Sequence, residues 1–228
     1  MAARQKAIRI YLERGAKKTF AGALDWPGWC RSGKSEGEAV DAMLAYAPRY
    51  ARVARSARVP FTAPAVGINV DIVEKLTGGG GTDFGVPGMA PSQDSDQLEG
   101  KELARQRALL EASWKAFDAA ARSAKGRTLR TGPRGGGRSV AKMTDHVLEA
   151  EIAYLAMLGS RLDRDDAKKG EMASVRRTVR ATLLAVAEGK PIANPRQTKR
   201  PWSPRYFVRR SAWHALDHAW EIEDRLED

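Results

Sequence analysis

The sequence predicts an α+β fold, mainly α, with a small β-β-α-β module at the N-terminus followed by a four-helix bundle. Three observations predict it. Apolar residues alternate in three short stretches before residue 77. The strand signal stops at Gln97, and four long segments with apolar side chains at helical spacing follow. Between them, residues 77–96 are rich in glycine and proline and read as a flexible linker separating a module at 1–76 from a bundle at 97–228.

Each element has its own justification. Residues 7–13 alternate with Ile8, Ile10 and Leu12 on one side, and residues 19–24 form a second extended segment after a turn at Gly15. Asp25 to Cys30, Asp-Trp-Pro-Gly-Trp-Cys, is expected to be a turn rich in aromatic side chains. Ser35 and Glu38 have capping-box spacing, the serine bonding first-turn amides and the glutamate reaching back. The helix they start carries Ala39, Met43, Leu44, Ala47 and Tyr50 on one face, with Pro48 either kinking it or ending it early. Residues 67–76 are the third strand, with Val66, Ile68, Val70 and Ile72 alternating. Four glycines at 78–81 lack the Gly-Lys-Ser/Thr that closes a phosphate-cradling loop.

The four long helices are expected at about 97–125, 139–161, 171–188 and 203–226. Gly189 and Pro191 close the third. Ser203 caps the fourth, and Pro204 occupies its first helical position. Amphipathic helices of this length joined by loops argue for a bundle.

Composition narrows the setting. The chain has 228 residues, 43% hydrophobic and 29% charged, enough to bury a core. No apolar run approaches the roughly 20 residues of a membrane span, so no membrane partner is expected. Arg9, Glu13 and Arg14 interrupt the sequence after a basic N-terminus, so no signal peptide is expected. A single cysteine, Cys30, cannot form an internal disulfide and reads as a packing residue in a reduced, cytoplasmic setting. Thirty-nine basic against 28 acidic residues leave a net charge of +11, which attracts anions without saying which. Lys199, Arg200, Arg205, Arg209 and Arg210 around Trp202 and Tyr206 are the best nucleic-acid candidate; a solvated surface is the favoured alternative.

The chain has three histidines, and all lie on two of the predicted bundle helices. His214 and His218 are four residues apart and so share one helix face, beside Phe207 and Ser211. His146 sits at the margin of the apolar arc of the second helix, formed by Val140, Met143, Val147, Tyr154 and Leu158. Such margins face a groove between helices, where three imidazoles can meet on one divalent ion. Histidines at a core margin also serve as hydrogen-bonded packing residues, and the spacing alone admits both readings.

The stretches Met143 to Glu151 and Trp213 to Arg225 resemble the DinB superfamily. That resemblance implies a four-helix bundle over residues 97–228 and a zinc or nickel ion bound by His146, His214 and His218. It also implies an enzyme such as a transferase acting with a low-molecular-weight thiol, mycothiol or bacillithiol, and a second substrate. A metal-stabilised binding or regulatory protein without turnover is the alternative. The first segment, Trp26 to Cys30 with Gly33, Ser35 and the acidic helix start, is similar to HicB-like antitoxin domains, although Trp29 intrudes before the cysteine. The use expected for such a sheet is dimerisation, making a homodimer, or covering the bundle.

A metal held by three neutral imidazoles keeps its positive charge and favours a thiolate at neutral pH. Asp145, Glu149, Asp217 and Glu221 are the candidates to accept the outer ring N–H, at least two of them being expected to be solvated charges instead. Arg134 and Arg138, beside Gly135 to Gly137, either receive an anion or belong to a mobile loop. Trp213 and Trp220 are expected to pack, on the margin of the fourth helix away from the histidines.

Overall fold

The computed structural model describes residues 7–64, 70–131 and 137–227. It is a mixed α/β structure in which a four-stranded sheet near the N-terminus is followed by helices. Strands β1 (Ile8–Arg14), β2 (Thr19–Ala23) and β3 (Cys30–Gly33) form an antiparallel meander, and β4 (Val70–Thr77) pairs parallel to β1. The sheet order is β3-β2-β1-β4. Expected strands 7–13 and 19–24 coincide with β1 and β2, and expected strand 67–76 coincides with β4 from residue 70; residues 65–69 lie outside the described part.

Strand β3 was not expected, because only four residues follow the Trp26–Trp29 turn and Arg31 and Ser32 hide the apolar signal. The turn itself is a packing device. Trp29 is fully buried, stacks on Tyr50 at 5.6 Å and donates its indole N–H to the Met43 carbonyl at 2.7 Å. Tyr50 donates its hydroxyl to the Pro27 carbonyl at 2.9 Å. Gly28 makes the turn feasible: its φ is +91°, and a Cβ there would lie 2.8 Å from Leu216 Cδ1.

The single expected helix after the turn is two. In α1 (Glu36–Ala45), Ser35 Oγ accepts the Glu38 amide, and Glu38 reaches back to the Lys34 amide, one residue before the cap. Tyr46 then breaks the run, and α2 (Ala47–Ser56) begins with Pro48 in its first turn, where its missing N–H costs nothing. Both helices pack on one face of the sheet. Ile10, Leu12, Ala21 and Ala23 meet Met43, Tyr50 and Val53 there. Alternate strand residues Tyr11, Phe20 and Cys30 are buried on the other face.

The glycine- and proline-rich stretch is not a free linker. It contains α3 (Gly80–Phe84) and a 3-10 turn at Ser92–Ser95. Asp83 accepts the amides of Ala16, Lys17 and Lys18, and buried Glu13 accepts the amides of Gly88 and Met89 and the Thr82 hydroxyl. Asp94, 1% exposed, forms a two-pronged ion pair with buried Arg209 at 2.7 Å on each prong. Composition concealed this because polar and glycine residues make these contacts largely through backbone amides.

Four long helices follow: α4 (Gly100–Ser123), α5 (Val140–Met157), α7 (Met172–Ala187) and α8 (Pro204–Arg225). A short helix not anticipated, α6 (Arg164–Lys169), is capped by Asp163. The long helices share one apolar core that includes Leu110, Phe117, Met143, Val147, Val179, Leu183, Val208 and Ile222. Leu109 and Ala112 of α4 and Leu216 and Trp220 of α8 instead join the core of the sheet and α1/α2. No helix among the described residues is long and apolar enough to cross a membrane.

Candidate metal centre

Helix α8 carries two of the three histidines and begins as its sequence dictates. Ser203 Oγ accepts the Tyr206 amide at 3.2 Å, and Pro204 occupies the first helical position. The helix is enclosed on nearly all sides, with the other helices on one face and the sheet module on the other. His214 and His218 are 6% and 7% exposed. Helix α5, capped by Ser139, brings half-buried His146 alongside them.

The three rings converge. His146 Nε2 and His214 Nε2 lie 3.2 Å apart, and the ring centroids are separated by 5.0, 5.0 and 4.7 Å. One ligand nitrogen from each ring lies within 4.8 Å of the others, a group able to hold a metal ion. Two imidazole nitrogens bound tetrahedrally at about 2.05 Å would be about 3.3 Å apart, close to the spacing of the first pair.

Electrostatics favour the neutral form of His146 and His214, which offers a lone pair. Burial, assisted by His218 and Arg210, pushes His214 down to about 2. Burial also lowers His146, with His218 and Arg138 adding to the effect. His218 Nδ1 lies 3.0 Å from Glu221 Oε2; a proton donated there leaves Nε2 as the free lone pair. Glu221 is held below the usual carboxylate range by the hydrogen bond from His218 and by the Arg225 guanidinium. Arg225 is fixed in turn, with Nη1 on Glu221 at 2.8 Å and Nε on the Arg130 carbonyl at 2.8 Å.

The other residues singled out by sequence divide clearly. Of the four acidic neighbours, Glu221 contacts a histidine. Asp217 pairs with Arg31 of β3 at 2.9 Å, and Asp145 and Glu149 are exposed. Arg138 is exposed and near enough to influence two of the histidines; Arg134 lies outside the described residues. Trp213 and Trp220 pack against the sheet module, Trp213 on Phe20 at 6.2 Å and Trp220 on Tyr46 at 5.0 Å. The basic cluster around Trp202 is not one patch. Arg209 is buried against Asp94, and Arg205 donates to the carbonyls of Asp96 and Gln97, while Lys199 and Arg200 are exposed.

No family model matches the chain, and no match to it was found among curated proteins or solved structures. The site therefore stands on its geometry.

Sequence reasoning missed a buried ion group between helices. Arg176 donates to both oxygens of Asp118 at 2.8 Å and to buried Glu151 at 3.2 Å. Its signal was legible: Glu151 interrupts the apolar stripe of Met143, Val147 and Leu155.

Proposed function

We propose that the chain is a divalent-metal-binding protein of the DinB kind, its four long helices forming a four-helix bundle around a zinc or nickel ion held by His146, His214 and His218. The single observation that carries this reading is the convergence of all three histidines, from two helices, within 4.8 Å. The donor set fits the ion: three imidazoles leave coordination positions open for water or substrate. The activity we assign is a metal-dependent enzyme such as a low-molecular-weight-thiol transferase.

When bound, the ion supplies a positive charge that favours a thiolate over a thiol. The chain supplies the rest. Glu221 orients the His218 ring and fixes its tautomer, and Arg225 holds Glu221 in place. Tyr154, whose ring lies 5.7 Å from that of His214, walls the site against water on one side.

Metal analysis of the untagged protein tests the ligand set. Wild type is expected to carry about one zinc or nickel per chain, and His218→Ala should lose it. Metal content unchanged in the variant refutes the assignment. Turnover with a panel of thiols then separates an enzyme from a metal-stabilised binding protein.

A further inference from the structure

Helix α8 presents four arginines whose contacts differ in kind. Arg205 is spent on backbone carbonyls and Glu102, Arg209 on Asp94 and Arg225 on Glu221. The fourth, Arg210, has no acidic partner among the described residues, and its Nη1 is buried without any hydrogen-bond partner. Arg210 precedes His214 by four residues, one turn along the same face. Its guanidinium lies 4.6 Å over the Trp213 ring and 5.4 Å from the Tyr154 ring, and Tyr154 packs on His214. The guanidinium thus shares the Tyr154 ring with His214, and its charge helps to keep that imidazole neutral.

Resting on the metal-site reading above, we propose that Arg210 is the carboxylate-docking residue of that site. The ligand on this view carries a carboxylate a short linker away from the atom that meets the metal. A buried guanidinium nitrogen without a partner loses its hydration, and a ligand oxygen restores what burial removed. The planar fork of arginine matches the two oxygens of a carboxylate. Of the two carboxylates acting on His146, Glu221 is already engaged by His218 and Arg225, and Glu149 is exposed. Arg138 adds a second positive charge near His146 and His214. Neutral imidazoles, a divalent ion and two guanidinium groups leave the site cationic, which favours an anionic ligand. The aromatic rings beside Arg210 exclude water and strengthen the ion pair.

The unpartnered Ser211 hydroxyl and Trp213 indole N–H, both buried, lie in the same turn. Nothing places either donor at the histidines, and Arg210 carries the proposal because it supplies the charge.

Two small thiols distinguish the metal contact from the carboxylate contact. Mercaptoacetate and 2-mercaptoethanol both offer sulfur, and only the first carries a carboxylate. Cobalt-loaded protein titrated with each, followed by its visible absorption, is expected to bind mercaptoacetate about 10- to 100-fold more tightly, the range a charged hydrogen bond supplies. Arg210→Gln should take up cobalt as wild type does and lose that preference, and Arg210→Lys should keep part of it. Equal affinities in wild type, or a preference that survives Arg210→Gln, overturn the proposal while leaving the metal site intact. Failure of wild type to take up cobalt overturns the metal reading instead. The docking role is then decided on metal-free protein by titrating benzoate against tryptophan fluorescence. Saturable binding lost in Arg210→Gln sustains it, and its absence in wild type ends it.

Discussion

Cys30 illustrates how surroundings decide the chemistry of one side chain. It is buried against Phe20 and Trp213, and burial, with Glu13 nearby, pushes its thiol up to about 12. An unfolded cysteine ionises near about 8.5. The folded group therefore contributes stability that is fully present below that value and is lost as pH rises toward 12. Since the thiolate is the reactive form, Cys30 should not react with a disulfide reagent at pH 8 in the native protein, and should react fully once unfolded. Rapid native labelling, read as released chromophore, would contradict this burial. The sequence read Cys30 as a packing residue because it is a lone cysteine far along the chain from the histidines, and grouped the histidines by their positions on two helices. The partners that tune the histidines were harder to see. Glu221 and Arg225 have helical spacing, but the Arg130 carbonyl that anchors Arg225 comes from a loop 95 residues away.

At the level of elements, polar segments were the least legible. The four long helices were readable because each repeats apolar residues over many turns. The break at Tyr46 depended on a proline that two outcomes fitted equally, and β3 was too short for alternation to show. The segment between β4 and α4 read as flexible because its contacts use amides and carboxylates rather than apolar side chains. Magnitudes show which polar contacts matter. Exposed pairs such as Arg52 with Glu223 contribute about 0–1 kcal/mol. The Arg209–Asp94 pair is buried on both sides, and removing one partner of such a pair costs about 3–5 kcal/mol. Asp94→Ala is therefore expected to lower the melting temperature by about 6 to 20 °C, taking about 2–4 °C per kcal/mol for a chain of this size. A shift below about 2 °C, on the same scale, would mean that the segment is not anchored there.

Across the whole molecule, the core around the sheet is not built only from residues before the 77–96 stretch, because residues of the long helices complete it. Leu216 and Trp220 lie on the histidine-bearing helix yet are buried among Trp29, Met43 and Tyr50. That helix is thus a shared wall between the sheet module and the other helices. A specific protease site inserted at Gly79–Gly80, where a Cβ on either glycine meets nothing within 4 Å, allows the chain to be cut where no side chain packs against it. After cleavage the two pieces should elute together at the size of the uncut chain, and separate elution would show independent folding. Severed in this way, the protein would behave as a heterodimer made from its own halves. Neither half is then a natural unit for swapping between proteins, since each would arrive with an uncovered greasy flank.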